Sequence, residues 1–308
     1  MDVNVLDLQR MSTEDGPGLR TTVFFKGCNL KCAWCHNPES ISYRPDPNWF
    51  KNKCIGCNIC VAVCPQKGIS KTSDGLHFSR ERCTACRTCE KKCPNAAIEL
   101  KGKRYETDAL ARELLKDKAY WGADGGVTLS GGEVMMQHKA AIEVARLLKE
   151  ERVSVAVDTA GCYDFRILEE ILPYTDLVLY DLKLFDPKDH KKYTGADNAV
   201  ILENYKKLTD KKIRVWVRTP IIEGATDTPQ NIESIARFLA EIGQPERWEL
   251  CTFNNLCRDK YERLDLTWAY QETQKTSKQH AENLQEIARR YVANAAYTGA
   301  VQEVISNR

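Results

Sequence analysis

The 308 residues predict an α/β protein, in which six strand–helix units form a parallel sheet curled into a partial or complete barrel, interrupted by a small cysteine-rich insert. Three observations carry this reading. After residue 100, short apolar runs alternate with helix-like stretches, the pattern of strands joined by crossover helices. Between about residues 49 and 100 the composition changes and a cysteine run appears twice. The residues with chemistry to offer fall at the ends of the apolar runs, where barrel sites form.

The first strand is the run Thr21-Thr22-Val23-Phe24-Phe25, rich in β-branched and aromatic side chains. It is preceded by Asp15-Gly16-Pro17-Gly18-Leu19-Arg20 and followed by Cys28-x3-Cys32-x2-Cys35. A cubic 4Fe–4S cluster has four iron corners, and three closely spaced thiolates hold three of them. The fourth iron then stays open to a small molecule, unlike the four-cysteine sites that only carry electrons. A partial zinc site is the competing reading. It is weakened because His36 follows Cys35 directly, whereas zinc motifs space their second ligand pair further away.

The insert reads Cys54-x2-Cys57-x2-Cys60-x3-Cys64-Pro65 and then Cys83-x2-Cys86-x2-Cys89-x3-Cys93-Pro94. This doubled pattern matches bacterial two-cluster ferredoxins, in which the fourth cysteine of each run crosses to the other cluster. Cys54, Cys57, Cys60 and Cys93 are therefore expected on one cube, and Cys64, Cys83, Cys86 and Cys89 on the other. Two zinc sites are the alternative, but zinc does not require a doubled run ending in Cys-Pro. Eleven of the fourteen cysteines are thus used. Cys162 and Cys251 sit at or near strand ends and read as small buried thiols, and Cys257 lies in a loop with no assigned role.

Residues 105–120 read as an amphipathic helix with Leu110, Leu114, Leu115 and Ala119 on one side. Strands are expected at 127–129, 153–157, 177–180, 213–217 and 248–251. Helices are expected near 137–150, 164–172, 198–209 and 230–241, and a charged amphipathic helix at 276–292. The second unit ends in Ser130-Gly131-Gly132-Glu133. Paired glycines let backbone approach a ligand, and a carboxylate accepts hydrogen bonds from an ammonium group. The third unit ends in Asp158-Thr159-Ala160-Gly161 and the fourth in Asp181-Leu182-Lys183, where helix caps or surface charges are the plainer alternatives.

Acidic and basic side chains nearly cancel at a net charge of +2, so no global field draws nucleic acid or an anionic membrane. No apolar stretch approaches the roughly 20 residues that span a bilayer. Met1-Asp2-Val3-Asn4 lacks the basic and apolar regions of a signal peptide. Cysteines in metal-type clusters favour a reducing cytoplasm, and oxygen-sensitive clusters suggest an anaerobic or facultative host.

The cysteine loop and its context resemble the radical S-adenosylmethionine (SAM) superfamily. From residue 4 to about 265 the chain resembles the glycyl-radical-enzyme activating family, in the subgroup with a two-cluster ferredoxin insert. The resemblance rests on Asp15-Gly16-Pro17-Gly18-x-Arg20, Cys35-His36-Asn37-Pro38-Glu39, Asp181-x-Lys183 and His190-x3-Thr194-Gly195, with Arg218, Gly224 and Asp227 in the fifth-strand loop. It implies a partial (β/α)6 radical SAM barrel formed by residues 1–48 and 101–308, with an inserted bacterial-type two-cluster ferredoxin domain at 49–100. It also implies three 4Fe–4S clusters and SAM. The catalytic cluster would sit on Cys28, Cys32 and Cys35, with its open iron chelated by the SAM amino and carboxylate groups. Trp34 would lie against the adenine, and Gly131, Gly132 and Glu133 would grip the amino group. Asp158, Thr159 and Asp181 would bind a monovalent cation beside the SAM carboxylate, and Lys183 would reach SAM itself. His36 and Asn254 complete the expected SAM contacts.

The implied activity is reductive cleavage of SAM by one electron from a flavodoxin or ferredoxin. The 5′-deoxyadenosyl radical would then abstract a Cα hydrogen from a glycine of a partner glycyl-radical enzyme, its loop gripped by Asp15 and Arg218. An internal salt bridge is the alternative role for Arg218. The rival functions are a radical SAM enzyme acting directly on a small molecule or another peptide side chain, and a plain electron carrier. Three departures from the family pattern stand out: Val134 replaces the proline of Gly-Gly-Glu-Pro, Glu223 that of Val-Pro-Gly, and Thr252-Phe253-Asn254 stands for Pro-Phe-His.

Overall fold

In the computed structural model, which describes residues 1–303, the chain opens with β1 (Asp2–Ser12), antiparallel to β2 (Arg20–Phe25). Five of the six β2 residues are fully buried, as expected of a strand covered on both faces. The insert follows, as β3 (Asp46–Trp49), α1 (Ile59–Val63), β4 (Ile69–Thr72), β5 (Gly75–Phe78), α2 (Thr88–Lys92) and β6 (Ile98–Lys101). Antiparallel β3 and β6 form its stem, from the pair Asp46–Lys101 to the pair Trp49–Ile98. The internal repeat is visible in the backbone. Asn58 and Arg87 both take left-handed conformations ahead of α1 and α2, and Cys64 and Cys93 both follow the helices in extended conformation.

The chain then returns through β7 (Lys103–Glu106) and α3 (Thr107–Leu115) to the repeating units. These are β8 (Gly126–Gly131), α4 (His138–Glu150), β9 (Ser154–Thr159), α5 (Phe165–Ile171), β10 (Leu177–Asp181), α6 (Pro187–Thr194), α7 (Ala199–Thr209), β11 (Arg214–Ile221), α8 (Pro229–Ile242) and β12 (Arg247–Thr252). After them come α9 (Arg258–Arg263), α10 (Lys278–Arg289) and β13 (Ala295–Thr298). The main sheet has nine strands in the order β13-β12-β11-β10-β9-β8-β2-β1-β7. From β2 to β13 the neighbours are parallel, and the sheet remains open among the described residues.

All six expected parallel strands are present. Two expectations need correction. The helix expected at 105–120 is shorter at both ends: residues 103–106 pair with Asp2–Val5 of β1, so α3 begins only at Thr107, and it stops at Leu115, leaving Ala119 in a separate exposed turn. A seventh parallel strand, β13, extends the sheet beyond the six units. Helix α6 was not anticipated, since only His190 and Thr194 are buried in it and it has no apolar stripe. Its signals were at the ends. Asp186 accepts from the amides of Lys188 and Asp189, Pro187 occupies the first turn, and Gly195 closes it at φ 86°.

The main core lies between the sheet and its helices. Val127, Leu129, Val157, Val178 and Leu250 of the strands meet Ala141, Val144, Leu148, Leu168 and Leu239 of the helices. Each such aliphatic side chain contributes about 2 kcal/mol by leaving water. The inner face is different. Ala156, Leu177, Leu179 and Trp216 form a small plug, beside which Arg20 is buried. Its guanidinium donates to Thr128 Oγ1 at 2.7 Å and to the carbonyls of Val127 and Ser154 at 2.7 and 3.1 Å. Burial without a bonded carboxylate pulls its pKa down to about 10. Gly18, at φ +68°, admits the preceding loop, since a Cβ there would lie 2.6 Å from the Gly125 amide nitrogen.

The insert has its own core of Trp49, Ile69, Leu76, Phe78, Ile98 and Leu100. At the junction with the barrel, the buried Lys26 ammonium donates to the Glu39 carbonyl and lies 3.3 Å from Asp46 Oδ2. No helix among the described residues is long and apolar enough to cross a membrane.

Candidate active site

The loop carrying Cys28, Cys32 and Cys35 leaves the C-terminal end of β2. Its amides are held from two sides. Those of Gly27 and Cys28 donate to the carbonyls of Ser40 and Ile41 at 2.7 and 3.1 Å. Those of Lys31 and Ala33 donate to Thr194 and Tyr193 at the end of α6, at 2.7 and 2.9 Å. Within α6, Thr194 Oγ1 lies 3.0 Å from His190 Nδ1, which is itself 2.6 Å from the Ala196 carbonyl oxygen. The His190-x3-Thr194-Gly195 pattern therefore closes a helix and presents its last carbonyls to the cysteine loop. Burial pushes the Cys28 thiol up to about 12, and raises Cys32 and Cys35 as well. Binding iron would require these thiols to release their protons.

The three thiols line a cavity of about 360 Å³ at the C-terminal ends of the strands, within the size range of small-molecule sites. Trp34, His36, Gly131, Gly132, Asp158, Thr159, Asp181, Lys183 and Asn254 line the same cavity. Gly132 is required by close approach, because a Cβ would lie 2.3 Å from the Gly27 carbonyl oxygen. Glu133 is not on the cavity wall. Its buried carboxylate accepts from Thr159 Oγ1 at 2.8 and 2.9 Å and from the amides of Met135 and Ala160 at 3.2 and 2.9 Å. It ties the loops after β8 and β9 together, and burial raises its pKa to about 7 despite these donors.

Asp158 accepts from Ser130 Oγ at 2.6 Å and lies 3.6 Å from Arg218 Nη1. Burial raises its pKa to about 6 against the pull of Arg218. Lys183 is paired with Asp181. Burial opposes its charge, but the Asp181 carboxylate holds the ammonium above its usual pKa. His36 Nε2 is buried with no hydrogen-bond partner among the described residues, and burial lowers the ring's pKa. Asn254 Oδ1 accepts from the Leu256 amide at 3.1 Å. Three thiols, two carboxylates, an ammonium and an orphaned imidazole nitrogen thus face one space. These residues fit an iron–sulfur cluster on three thiolates with a zwitterionic cationic ligand beside it.

Asp15 and Arg218 are close together but off the cavity wall. Arg218 Nη1 is 3.9 Å from Asp15, its Nε is 3.2 Å from Glu249 Oε2, and its Nη2 donates to the Glu14 carbonyl. Asp15 Oδ2 accepts from Ser12 Oγ and Thr22 Oγ1 at 2.6 and 2.7 Å. Sequence reasoning overlooked Glu249 and gave Ser130 no role of its own. An acid inside the apolar run Trp248–Cys251 was the available signal for Glu249, because such a residue needs a buried cation. Cys257, left without a role, is buried in an aromatic cluster with Trp34, Phe253, Tyr261 and Trp268.

In the insert, Cys54, Cys57, Cys60 and Cys93 line a cavity of about 300 Å³, and Cys64, Cys83, Cys86 and Cys89 line a separate one. The Gly68 and Ala97 amides point at the Cys64 and Cys93 sulfurs at 3.3 and 3.2 Å. Each cavity offers four thiols, the donor set of a cubic cluster.

The radical SAM superfamily model matches residues 77–239, and a 4Fe–4S dicluster domain model matches 53–97. The trans-4-hydroxy-L-proline dehydratase activating enzyme of Clostridioides difficile is 40% identical over 298 residues, 96% of this chain and 97% of that one. The (2S)-3-sulfopropanediol dehydratase activating enzyme of Klebsiella oxytoca is 36% identical over 92% of each chain. A solved radical SAM methyltransferase from Sphaerobacter thermophilus superposes with a TM-score of 0.53 at 14% identity, over 93% of this chain and 67% of that one. At that identity the likeness concerns the fold alone.

Proposed function

The chain belongs to the radical SAM superfamily and, within it, to the enzymes that activate glycyl-radical enzymes, and on that premise we propose which of its residues carry each part of the reaction. The enzyme cleaves SAM reductively and uses the 5′-deoxyadenosyl radical to abstract a Cα hydrogen from a glycine of a partner glycyl-radical enzyme. A 4Fe–4S cluster, when bound on three thiolates, supplies the open iron for SAM and the electron that breaks its sulfonium C–S bond.

Cys28, Cys32 and Cys35 hold that cluster. The backbone of Gly131 and Gly132 receives the SAM amino group, and Glu133 acts from behind by fixing the two loops it bridges. Asp158, Thr159 and Asp181 offer hard oxygen atoms to a monovalent cation, and Lys183 would reach SAM itself. Trp34 provides the apolar wall for the adenine, while His36 and Asn254 offer hydrogen bonds. Asp15 and Arg218 grip the partner's loop, the guanidinium being oriented by Asp158 and Glu249.

Residues 49–100 form a ferredoxin-like domain, and 1–48 with 101–308 form the barrel core. Two further cubes would be held by the insert, one on Cys54, Cys57, Cys60 and Cys93, the other on Cys64, Cys83, Cys86 and Cys89. The electron comes from a flavodoxin or ferredoxin. All fourteen cysteines are free, which supports a reducing cytoplasm.

The observation that carries the assignment is that the three thiols share one cavity with Gly131, Gly132, Asp158, Asp181 and Lys183. The test is anaerobic reconstitution with iron and sulfide, reduction, and addition of SAM with a glycyl-radical enzyme. A trans-4-hydroxy-L-proline dehydratase is the first partner to assay, given the name of the relative at 40% identity. A glycyl-radical doublet in the electron paramagnetic resonance (EPR) spectrum, lost with Cys32→Ala, is the expected result. Deoxyadenosine released with every glycyl-radical partner left unradicalised would instead indicate an enzyme acting on a small molecule or another peptide side chain.

A further inference from the structure

Three carbonyls of the cysteine loop are capped by side chains from one distant segment. Tyr261 Oη donates to the Cys35 carbonyl at 2.8 Å and Trp268 Nε1 to the Ala33 carbonyl at 3.1 Å. Lys260 Nζ donates to the His36 carbonyl at 3.0 Å and to Asn37 Oδ1 at 2.7 Å, with Glu39 Oε2 at 3.9 Å. The rings of Tyr261 and Trp268 stack with centroids 5.0 Å apart and 11° between planes, and both are buried. Braced against each other, they hold their donors in one pose. The same segment is tied to the insert: Arg80 donates to the Leu264 carbonyl, His77 Nδ1 is 2.7 Å from Asp265 Oδ2, and Arg263 lies 4.9 Å above the Phe50 ring.

The cysteine loop has no regular secondary structure between Gly27 and Asn37, so its backbone groups must find partners elsewhere. Its amides at Lys31 and Ala33 use the end of α6, and its carbonyls at Ala33, Cys35 and His36 use this bracket. Donors on those carbonyls turn partial negative charge away from the anionic thiolates a cluster requires, and the Lys260 cation adds to the effect. We propose that Lys260, Tyr261 and Trp268 are positioning residues that fix the pose of the cysteine loop and thereby set SAM affinity and the reducibility of the centre it holds. This rests on reading Cys28, Cys32 and Cys35 as the ligands of a SAM-binding cluster.

The test uses the reconstituted holoprotein with Tyr261→Phe, which removes one hydroxyl and keeps the stack, and with Lys260→Met. His77→Ala is the control, because it releases the insert arm without touching the loop. The readouts are cluster content, SAM affinity from the SAM-dependent change in the EPR signal, and the midpoint potential of that signal. Tyr261→Phe is expected to weaken SAM binding roughly fivefold, the loss of one hydrogen bond. Both loop variants lower the midpoint potential, while the insert signals stay in place and His77→Ala matches wild type. Wild-type affinity and potential in both loop variants, or an equal shift in His77→Ala, would overturn the proposal. A wild-type protein whose EPR signal ignores SAM would overturn the underlying cluster reading instead.

Discussion

The insert and the barrel mouth both gather cysteines, but in opposite ways. In the insert, each set of four thiols takes three cysteines spaced three residues apart from one repeat and the fourth from the other, and Cys57 and Cys86 are exposed. In the barrel, the three thiols are sunk in a cavity whose other walls include the ends of β8, β9, β10, β11 and β12. An electron-carrying site needs a short path to the surface, whereas a site that generates a carbon radical must exclude water and hold its substrate from several directions. The first requirement is met by local chain geometry, the second only by assembling distant strand ends.

Single cysteine changes should break this comparison most sharply. Cys32→Ala is expected to abolish SAM cleavage, whereas Cys57→Ala should retain it with a small chemical reductant and lose only an insert signal. Deoxyadenosine release and EPR of both reconstituted variants would check this. If Cys57→Ala were equally dead with a small reductant, the two regions would not be separable.

Backbone contact comes next. In Gly132→Ala the new methyl would meet the Gly27 and Ser40 carbonyl oxygens at 2.3 and 2.9 Å. Neither can move without displacing the cysteine loop, so about 1–3 kcal/mol of stability and tenfold or more in SAM affinity should be lost. Thermal unfolding and a SAM titration measure the two effects. Gly75→Ala makes the matching change in the insert, placing a methyl 2.0 Å from the Trp49 ring at φ +125°. It should lower the insert's stability by a similar 1–3 kcal/mol and its cluster content, with SAM affinity unchanged.

The smallest effect concerns pH. Burial lowers the pKa of His190, so the folded state disfavours its protonated form. Its contribution to stability is present above 6.5 and is lost as pH falls through the lower folded pKa. Wild type should therefore lose melting temperature between pH 7.5 and 5.5 more steeply than His190→Asn. Equal slopes would show that His190 does not couple the α6 end, and with it the cysteine loop, to pH.

Much of this was legible because spacing along the chain is itself chemistry. Cys28-x3-Cys32-x2-Cys35 and the doubled insert run read as cluster-binding patterns, and apolar runs bounded by Gly, Asp and Ser announce the strands. Helix α6 was less legible, because its evidence lay in Asp186, Pro187 and Gly195 rather than in a buried stripe. Tyr105 and Glu106 were misread as helix, because pairing of residues 103–106 with β1 overrides local preference.

By itself the sequence determined the parallel α/β architecture, the cysteine sets and the strand-end residues Gly131, Gly132, Asp158, Asp181 and Lys183. Tertiary structure alone decided that Glu133 turns from the cavity to bridge two loops, that Arg218 is shared between Asp158 and Glu249, and that β13 extends the sheet. It alone decided, too, that Tyr261 and Trp268 cap carbonyls more than 200 positions earlier in the chain. The reason is physical. Ligand spacing and hydrophobic period act over a few residues, but a buried polar group takes whichever partner folding brings within about 3 Å, and no local pattern specifies that partner.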